Sequence, residues 1–97
     1  MSQTQVFKGV ETTTYCDQDG ALNGVYRGTT VAKKLNRMIT LNTGGWKSRT
    51  TKVRMNQFSN TYCNSSFSVL QRNNSWFVTL ADGRKFDFDS NSITFEV

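Results

Sequence analysis

Histidine and proline are absent from this 97-residue sequence, and cysteine occurs only at Cys16 and Cys63. Without histidine, the chain has no Ser-His-Asp or Cys-His nucleophile system and no side chain that ordinarily exchanges protons near neutral pH. The two cysteines lack the close spacing of zinc and redox motifs, so we expect no metal site and no cofactor. The sequence therefore predicts a protein that binds rather than catalyses, and we assign no catalytic residue.

Long apolar runs are also missing. No stretch approaches the roughly 20 apolar residues that a membrane helix needs. The polar residues 1–5 lack the apolar centre of a secretory signal. We therefore expect a cytosolic protein without a membrane partner. A disulfide between Cys16 and Cys63 stays open at this point, although free thiols are the commoner state in the cytosol.

The length and composition predict a single compact domain over residues 1–97. A chain of this size buries only about two-thirds of its unfolded surface, which leaves no room for a second core. Aromatic residues make up 12% of the sequence, and their large rings can fill a core from few positions. No low-complexity linker or internal repeat divides the chain.

The predicted fold class is α+β, with one main helix over about residues 50–62 packed on an antiparallel β-sheet. Thr51, Met55, Phe58 and Tyr62 recur at helical spacing, so they form one apolar stripe that can lie on the sheet. Serine and threonine just before this segment are suited to cap its first N–H groups.

The C-terminal third predicts a four-stranded meander. Apolar and polar residues alternate with a period of two from Phe67 onward, and turn residues at 73–74, 82–83 and 90–91 separate the strands. Residues 38–42 form another strand, which the pair Gly44-Gly45 ends. In the first 36 residues we expect strands near 12–15 and 24–27, while residues 30–37 could form a short helix.

A basic segment at the predicted helix start is the leading candidate site. The formal charge is +5, and seven of the twelve cations lie in residues 47–85, where Asp82 is the only acid. Lys47, Arg49, Lys52 and Arg54 surround backbone N–H groups that have no intrahelical partner, and the helix dipole favours an anion there. The alternative is a solvated basic helix start that only aids solubility.

Aromatic residues would extend an anion site into a nucleotide site. Trp46, Trp76, Phe77 and Tyr26 can stack on bases, although most aromatic residues of a small domain belong to the core. Trp76 and Phe77 are neighbours on one strand and point to opposite faces, so one of them should lie outside the main core. The predicted ligand-binding residues are Trp46, Lys47, Arg49, Thr50, Thr51, Lys52, Arg54 and Trp76.

Two acidic patterns are better explained as structure than as metal sites. Residues 17–20 (Asp-Gln-Asp-Gly) match the opening of a calcium loop, but Gly28 stands where the bidentate glutamate is expected. We therefore predict a turn. Asp87 and Asp89 share one strand face, which is typical of a solvent-facing strand.

The segments LNTGGW at 41–46 and TTKVRMNQ at 50–57, with Gln71 and WFV at 76–78, carry a family resemblance. This pattern resembles small phage-encoded accessory proteins of largely unassigned function. The resemblance covers about residues 38–95 and leaves the N-terminal third unmatched. It implies a phage origin and expression in the host bacterial cytoplasm, and it transfers no catalytic residue. Phage proteins of this kind often bind and disable host machinery or defence components.

The leading hypothesis is a non-enzymatic phage accessory protein that counters bacterial immunity by binding. Its partner would be an anionic nucleotide signal that it sequesters, or a host defence protein that it blocks. One alternative is a nucleic-acid-binding module that places the same cations on DNA or RNA, and another is a structural or assembly protein of the virion. Exposed β edges favour self-association, for which a symmetric homodimer is the commonest outcome.

Overall fold

The computed structural model describes Phe7 and residues 9–97. Eight strands and one helix occur in this part of the chain. Their bounds are β1 Thr12–Cys16, β2 Leu22–Tyr26, β3 Thr29–Leu35, β4 Met38–Asn42, α1 Arg49–Tyr62, β5 Phe67–Arg72, β6 Ser75–Leu80, β7 Lys85–Asp87 and β8 Ser92–Glu96.

The strands form two antiparallel sheets. The larger sheet has the order β1-β2-β3-β4-β8, and the smaller one has the order β5-β6-β7. Helix α1 packs against β5 of the smaller sheet and against β2 and β3 of the larger one. The α+β class with one helix on antiparallel strands is therefore confirmed.

Helix α1 begins and ends close to the predicted bounds. Ser48 is the N-cap, and its Oγ accepts a hydrogen bond from the Thr51 backbone N–H at 3.1 Å. Thr51, Met55 and Phe58 are buried and Tyr62 is half-buried, so the predicted apolar stripe faces the core. Phe58 lies edge-on to Phe7 at a centroid distance of 5.7 Å.

Residues 30–37 do not form the short helix that we considered, because β3 crosses this region as a central strand. It is hydrogen-bonded to β2 on one side and to β4 on the other. A β-bulge leaves Val31 without a partner between the pairs Gly24–Ala32 and Val25–Thr30. Val31 and Ala32 are consequently both buried. The bulge breaks the period-two pattern that identifies a strand in sequence.

The predicted four-stranded C-terminal meander is wrong in its last strand. Strands β5, β6 and β7 pair in sequence, but β8 joins the larger sheet beside β4, with Ile39 opposite Phe95. The chain leaves the smaller sheet at Phe88, which is fully buried and whose backbone N–H donates to Trp76 O at 2.9 Å. Alternating residues identify a strand, but they do not specify the edge with which it pairs.

Phe95 of β8 connects the two sheets. Its ring centroid lies 5.4 Å from that of Phe67 on β5 and 6.0 Å from that of Phe86 on β7. Its backbone belongs to the larger sheet and its side chain packs on the smaller one. The hydrophobic core is therefore continuous across both sheets.

Candidate functional site

A cleft of about 330 Å³ lies where the β2–β3 hairpin meets the connection from β4 to α1. We call it the Trp46 cleft. Its lining residues are Tyr26, Arg27, Thr29, Val31, Thr43, Gly44, Trp46 and Thr51. Clefts of this size suit small molecules, and the mixture of aromatic, hydroxyl and cationic side chains can provide both stacking and polar contacts.

Trp46 is the most unusual side chain of the cleft because 71% of its surface is exposed. Its backbone is nevertheless fixed, since Trp46 N–H donates to Thr43 O at 3.1 Å and Trp46 O accepts from Ser48 N at 3.0 Å. An exposed tryptophan on a hydrogen-bonded loop gives a stacking surface at little cost in conformational entropy.

Two glycines shape this loop. Gly44 and Gly45 have φ values of 66° and 84°, in the region that favours glycine. A Cβ on Gly44 would lie 2.9 Å from the Thr29 side chain, whereas a Cβ on Gly45 would meet nothing. Thr43 is buried, and its Oγ1 donates to Asn91 Oδ1 at 3.1 Å. The loop therefore approaches β3 closely and forms one wall of the cleft.

The start of helix α1 borders the cleft through Thr51. Thr51 is buried, and its hydroxyl lies 2.9 Å from Ser48 Oγ within the N-cap. Among the described residues, the backbone N–H groups of Arg49 and Thr50 have no hydrogen-bond partner. The first turn of the helix carries no acidic residue. No carboxylate of this first turn therefore neutralises the positive end of the helix dipole.

The four predicted cations do not converge on one point. Lys47 Nζ donates to the carbonyl oxygens of Phe88 and Asp89, at 3.3 and 2.6 Å. Lys52 Nζ donates to Gln71 Oε1 at 3.2 Å, on the side of the smaller sheet. The Arg49 side chain is exposed and makes no hydrogen bond or ion pair with a residue that the structure describes.

Arg54 lies on the opposite side of the helix from Lys52. Its Nε donates to Thr12 Oγ1 at 2.9 Å and its Nη1 to Gln57 Oε1 at 3.1 Å. The guanidinium carbon also lies 5.5 Å from the centroid of the Tyr26 ring. Arg54 thus supports a wall of the cleft from behind, and it does not line the cleft itself.

Trp76 is part of the core rather than a stacking surface. Only 3% of it is exposed, and its ring lies edge-on to Phe88 at 6.0 Å. Its neighbour Phe77 is half-buried, with Lys85 Nζ 4.4 Å from the ring centroid. The expectation that one of the two aromatic residues lies outside the main core is confirmed, and the outer residue is Phe77.

Of the eight predicted ligand-binding residues, Trp46 and Thr51 line the cleft, while Arg49 and Thr50 begin the adjacent helix. The sequence indicated Tyr26 as a stacking residue, but the other lining residues were not among the predicted binding residues: Arg27, Thr29, Val31, Thr43 and Gly44. No local sequence signal places these residues beside Trp46, because the Arg27-Gly28 turn, with φ values of 53° and 79°, accounts only for the β2–β3 hairpin. This hairpin brings Arg27 and Thr29 to the loop that carries Trp46.

Arg27 is the cation of the cleft. Its Nε lies 3.1 Å from Glu11 Oε1, and both side chains are more than half exposed. An exposed pair of this kind is weak and screened by salt. The remaining guanidinium N–H groups can therefore still contact an anion in the cleft.

The acidic loop at residues 17–20 is a turn, as predicted. Asp17 Oδ1 accepts from the backbone N–H groups of Asp19 and Ala21, and Asp17 Oδ2 accepts from Asn23 Nδ2 at 3.1 Å. The hydrogen bond from Asn23 is the main cause that holds the pKa of Asp17 below its usual value. No cluster of three or more potential metal-binding side chains occurs within the part of the chain that the structure describes.

The two cysteines are free. Cys16 is exposed on β1, whereas Cys63 is buried just after α1. Burial raises the pKa of the Cys63 thiol to about 11, although Lys34 partly opposes the shift. The Cys63 thiol is therefore protonated at neutral pH and is a poor nucleophile.

No helix among residues 9–97 is long and apolar enough to cross a membrane.

Comparisons with curated proteins and with solved structures found no match. The family model described as Kyanoviridae Gp96 protein matches residues 1–95. The match includes the first third of the chain, which the phage resemblance had left unmatched. The chain therefore belongs to the Kyanoviridae Gp96 family of phage proteins.

Proposed function

We propose that this protein is a non-enzymatic phage accessory protein that binds an anionic nucleotide in the Trp46 cleft. By sequestering a nucleotide signal in the host cytoplasm, it would counter bacterial immunity. The observation that carries the proposal is the 71% exposed Trp46 ring at a cleft of about 330 Å³ beside a helix start. The family is one of phage proteins, which agrees with a role during infection.

In this proposal the base stacks on Trp46. Stacking of a base on an aromatic side chain contributes about 1–3 kcal/mol. Tyr26 supplies a second aromatic side chain in the same cleft, and Arg54 fixes it from behind. The hydroxyl of Thr29 is available near the rim for contacts with a sugar or a base edge.

The phosphate contacts the helix start. The unpaired N–H groups of Arg49 and Thr50 and the positive end of the helix dipole favour an anion. Arg27 of the cleft wall and the exposed Arg49 side chain add charge. The absence of histidine from the sequence supports binding without turnover.

A nucleic-acid-binding module is less well supported by the positions of the cations. The side chains of Lys47, Lys52 and Arg54 lie in three separate places and each donates a hydrogen bond to an oxygen atom of the protein itself. A backbone-tracking surface needs a continuous row of free cations.

The first experiment is the A260/A280 ratio of the purified protein, followed by heat release and mass spectrometry of any bound compound. A discrete nucleotide supports the proposal. Polymeric nucleic acid that dissociates at high salt contradicts it and favours the nucleic-acid module.

Calorimetric titration with mononucleotides and cyclic dinucleotides then measures binding by the native chain and by variants that lack Trp46. Stacking should quench Trp46 fluorescence, while the buried Trp76 stays as an internal reference. Trp46→Ala should weaken binding at least about fivefold, the lower end for loss of one stacked base. Arg49→Gln should also weaken binding, because it removes a charge-assisted contact with the phosphate. Arg72→Gln is the matched control, since Arg72 is an exposed cation of β5 outside the cleft. No binding of any member of the panel would refute the nucleotide proposal.

The role in infection is tested by plaque counts on bacteria that carry a nucleotide-signalled defence. The native chain should restore plaques of a sensitive phage, and Trp46→Ala should not. Equal rescue by both chains would show that any anti-defence effect does not depend on the cleft.

A further inference from the structure

The edges of the two sheets differ in how their backbone groups are satisfied. On β5, helix α1 supplies the partners: Asn56 Nδ2 donates to Val69 O at 3.0 Å, and Asn56 Oδ1 accepts from Val69 N at 2.7 Å. Ser59 Oγ likewise donates to Phe67 O at 2.6 Å. Side chains of the helix therefore occupy the place of a neighbouring strand along this edge.

The edges formed by β7 and β8 are partly protected. Along β8, Ser92 O accepts from Ser90 Oγ at 2.7 Å, and Glu96 O accepts from Arg84 Nη2 at 3.1 Å. Strand β7 has only three residues, Lys85–Asp87, two of which are charged. Short, charged or covered edges are the usual protection against pairing with another chain.

Strand β1 has no such protection among the described residues. Arg27 N–H donates to Glu11 O at 2.9 Å, one residue beyond Thr12–Tyr26, the first pair of the β1–β2 ladder, so Glu11 O points towards β2. Directions alternate along a strand, and the outward N–H and C=O groups of β1 are therefore those of Thr12, Thr14 and Cys16. These outward groups make no hydrogen bond to any residue that the structure describes.

The side chains of β1 also permit pairing. The strand Thr12–Cys16 contains no charge and no proline, and four of its five residues are exposed. Tyr15 is 51% exposed on the face of the sheet away from the helix. β-Branched and aromatic residues of this kind favour contacts across neighbouring strands.

We propose that β1 is a dimerisation edge, on which a second copy of the chain pairs its own β1 in antiparallel orientation. Thr12 and Cys16 lie two residues before and two residues after Thr14. The outward backbone groups of one copy can therefore face those of a second, antiparallel copy. A two-fold axis at Thr14 places Thr14 opposite its own copy and Thr12 opposite Cys16 of the second copy. All three outward residues then form hydrogen-bonded pairs. The two larger sheets become one continuous ten-stranded sheet.

This register also pairs the outer-face side chains. Thr13 lies opposite Tyr15 of the second copy, which gives an aromatic and β-branched contact on each side of the axis. Displacing the register by two residues in either direction leaves one outward residue of each chain unpaired. The centred register therefore satisfies the most backbone groups.

Sedimentation equilibrium tests the dimer directly. The native chain should reach twice its 11.0 kDa mass with increasing concentration. Thr14→Lys and Thr14→Glu should each remain at 11.0 kDa, because like charges would stand opposite each other at the axis. An equimolar mixture of the two variants should dimerise again, because a lysine of one copy would then face a glutamate of the other. This rescue depends on the proposed axis.

The matched control is Ser68→Lys, which adds the same charge to the exposed side of β5, where α1 already satisfies the edge. It should dimerise like the native chain. A native chain that stays monomeric overturns the proposal. Dimers that persist in both Thr14 variants, or a mixture that stays monomeric, overturn it as well.

Disulfide trapping tests the register independently. In Thr12→Cys, each new thiol should lie opposite Cys16 of the second copy at a Cα separation of about 5.5 Å, which a disulfide can span. Within one chain the two residues are four positions apart in an extended strand, about 13 Å, which is too far. Mild oxidation should therefore give covalent dimers. Thr12→Cys combined with Cys16→Ser is the control, and equal cross-linking in this control contradicts the register.

Discussion

Asn56 of helix α1 and Val69 of strand β5 form a closed pair of hydrogen bonds, in which the side-chain amide donates to Val69 O at 3.0 Å and accepts from Val69 N at 2.7 Å. This geometry imitates the exchange between two neighbouring strands. Helix α1 therefore does more than cover the core, because it also ends the smaller sheet at β5.

Replacement of Asn56 by alanine should destabilise the protein by about 1–3 kcal/mol, because the backbone N–H and C=O of Val69 both lose their hydrogen-bond partner. Urea unfolding measures the effect. Asn60→Ala is the matched control on the same helix, since Asn60 Oδ1 accepts from the exposed Ser65 hydroxyl and not from a strand backbone. That change should cost about 0.5 kcal/mol or less. Equal losses in the two variants would contradict the structural role of Asn56.

Gly44→Ala should be more destabilising than Gly45→Ala. Both positions have positive φ, so alanine costs about 1 kcal/mol at either one. At Gly44 the added Cβ also lies 2.9 Å from Thr29, whereas at Gly45 it meets open space. Thermal unfolding should rank the variants in this order. Gly44→Ala should also weaken ligand binding in the Trp46 cleft more than Gly45→Ala does, because the added Cβ forces the loop that carries Trp46 away from β3.

The two thiols should differ strongly in reactivity. Cys16 is exposed, while Cys63 is buried with its pKa raised to about 11. A disulfide reagent such as DTNB at about pH 7.5 should therefore modify one thiol per folded chain rapidly and the second only on unfolding. Cys16→Ser should abolish the rapid phase. A rapid phase that persists in Cys16→Ser would show that Cys63 is accessible in the native state.

Asp17 should contribute to the loss of stability in acid. Its pKa in the folded state is lowered, mainly by the hydrogen bond from Asn23, so folding favours the ionised carboxylate. The contribution is present above the usual aspartate pKa of about 3.9 and is lost as the pH falls through the lower folded value. Asp17→Asn should therefore lose less stability than the native chain below about pH 4. Chemical denaturation from about pH 2.5 to 6 measures how the free energy of unfolding changes with pH in the two chains. The same change in both chains would contradict this role.

The sequence predicted features that depend on neighbouring residues. The stripe at Thr51, Met55 and Phe58 located the helix, because helical spacing puts these residues on one face. Ser48 capped it as expected. Pairing between distant strands was not predictable in this way, and β8 was assigned to the wrong sheet. The residue pattern around Phe95 specifies a strand, whereas the free edge of β4 determines where that strand pairs.

The candidate site was predicted in part for a related reason. Adjacent cations in sequence were expected to act together, but a rotation of about 100° per residue places Lys52 and Arg54 on opposite sides of the helix. Trp46 was identified as one of several aromatic residues that can stack on a base. Arg27 and Thr29 could not be assigned to the site, because their proximity to Trp46 depends on the contact between two loops that are distant in the chain.

The pairing of β8 with β4 has a consequence for synthesis on the ribosome. Residues 38–42 leave the ribosome about 50 residues before their partner strand does, so this edge of β4 stays open while the intervening residues are synthesised. Phe95, which connects both sheets, emerges only with β8. Long-range pairing of this kind is slow to form. Native structure should therefore appear only after release of residues 92–96, and a nascent chain stalled before that point should be sensitive to protease.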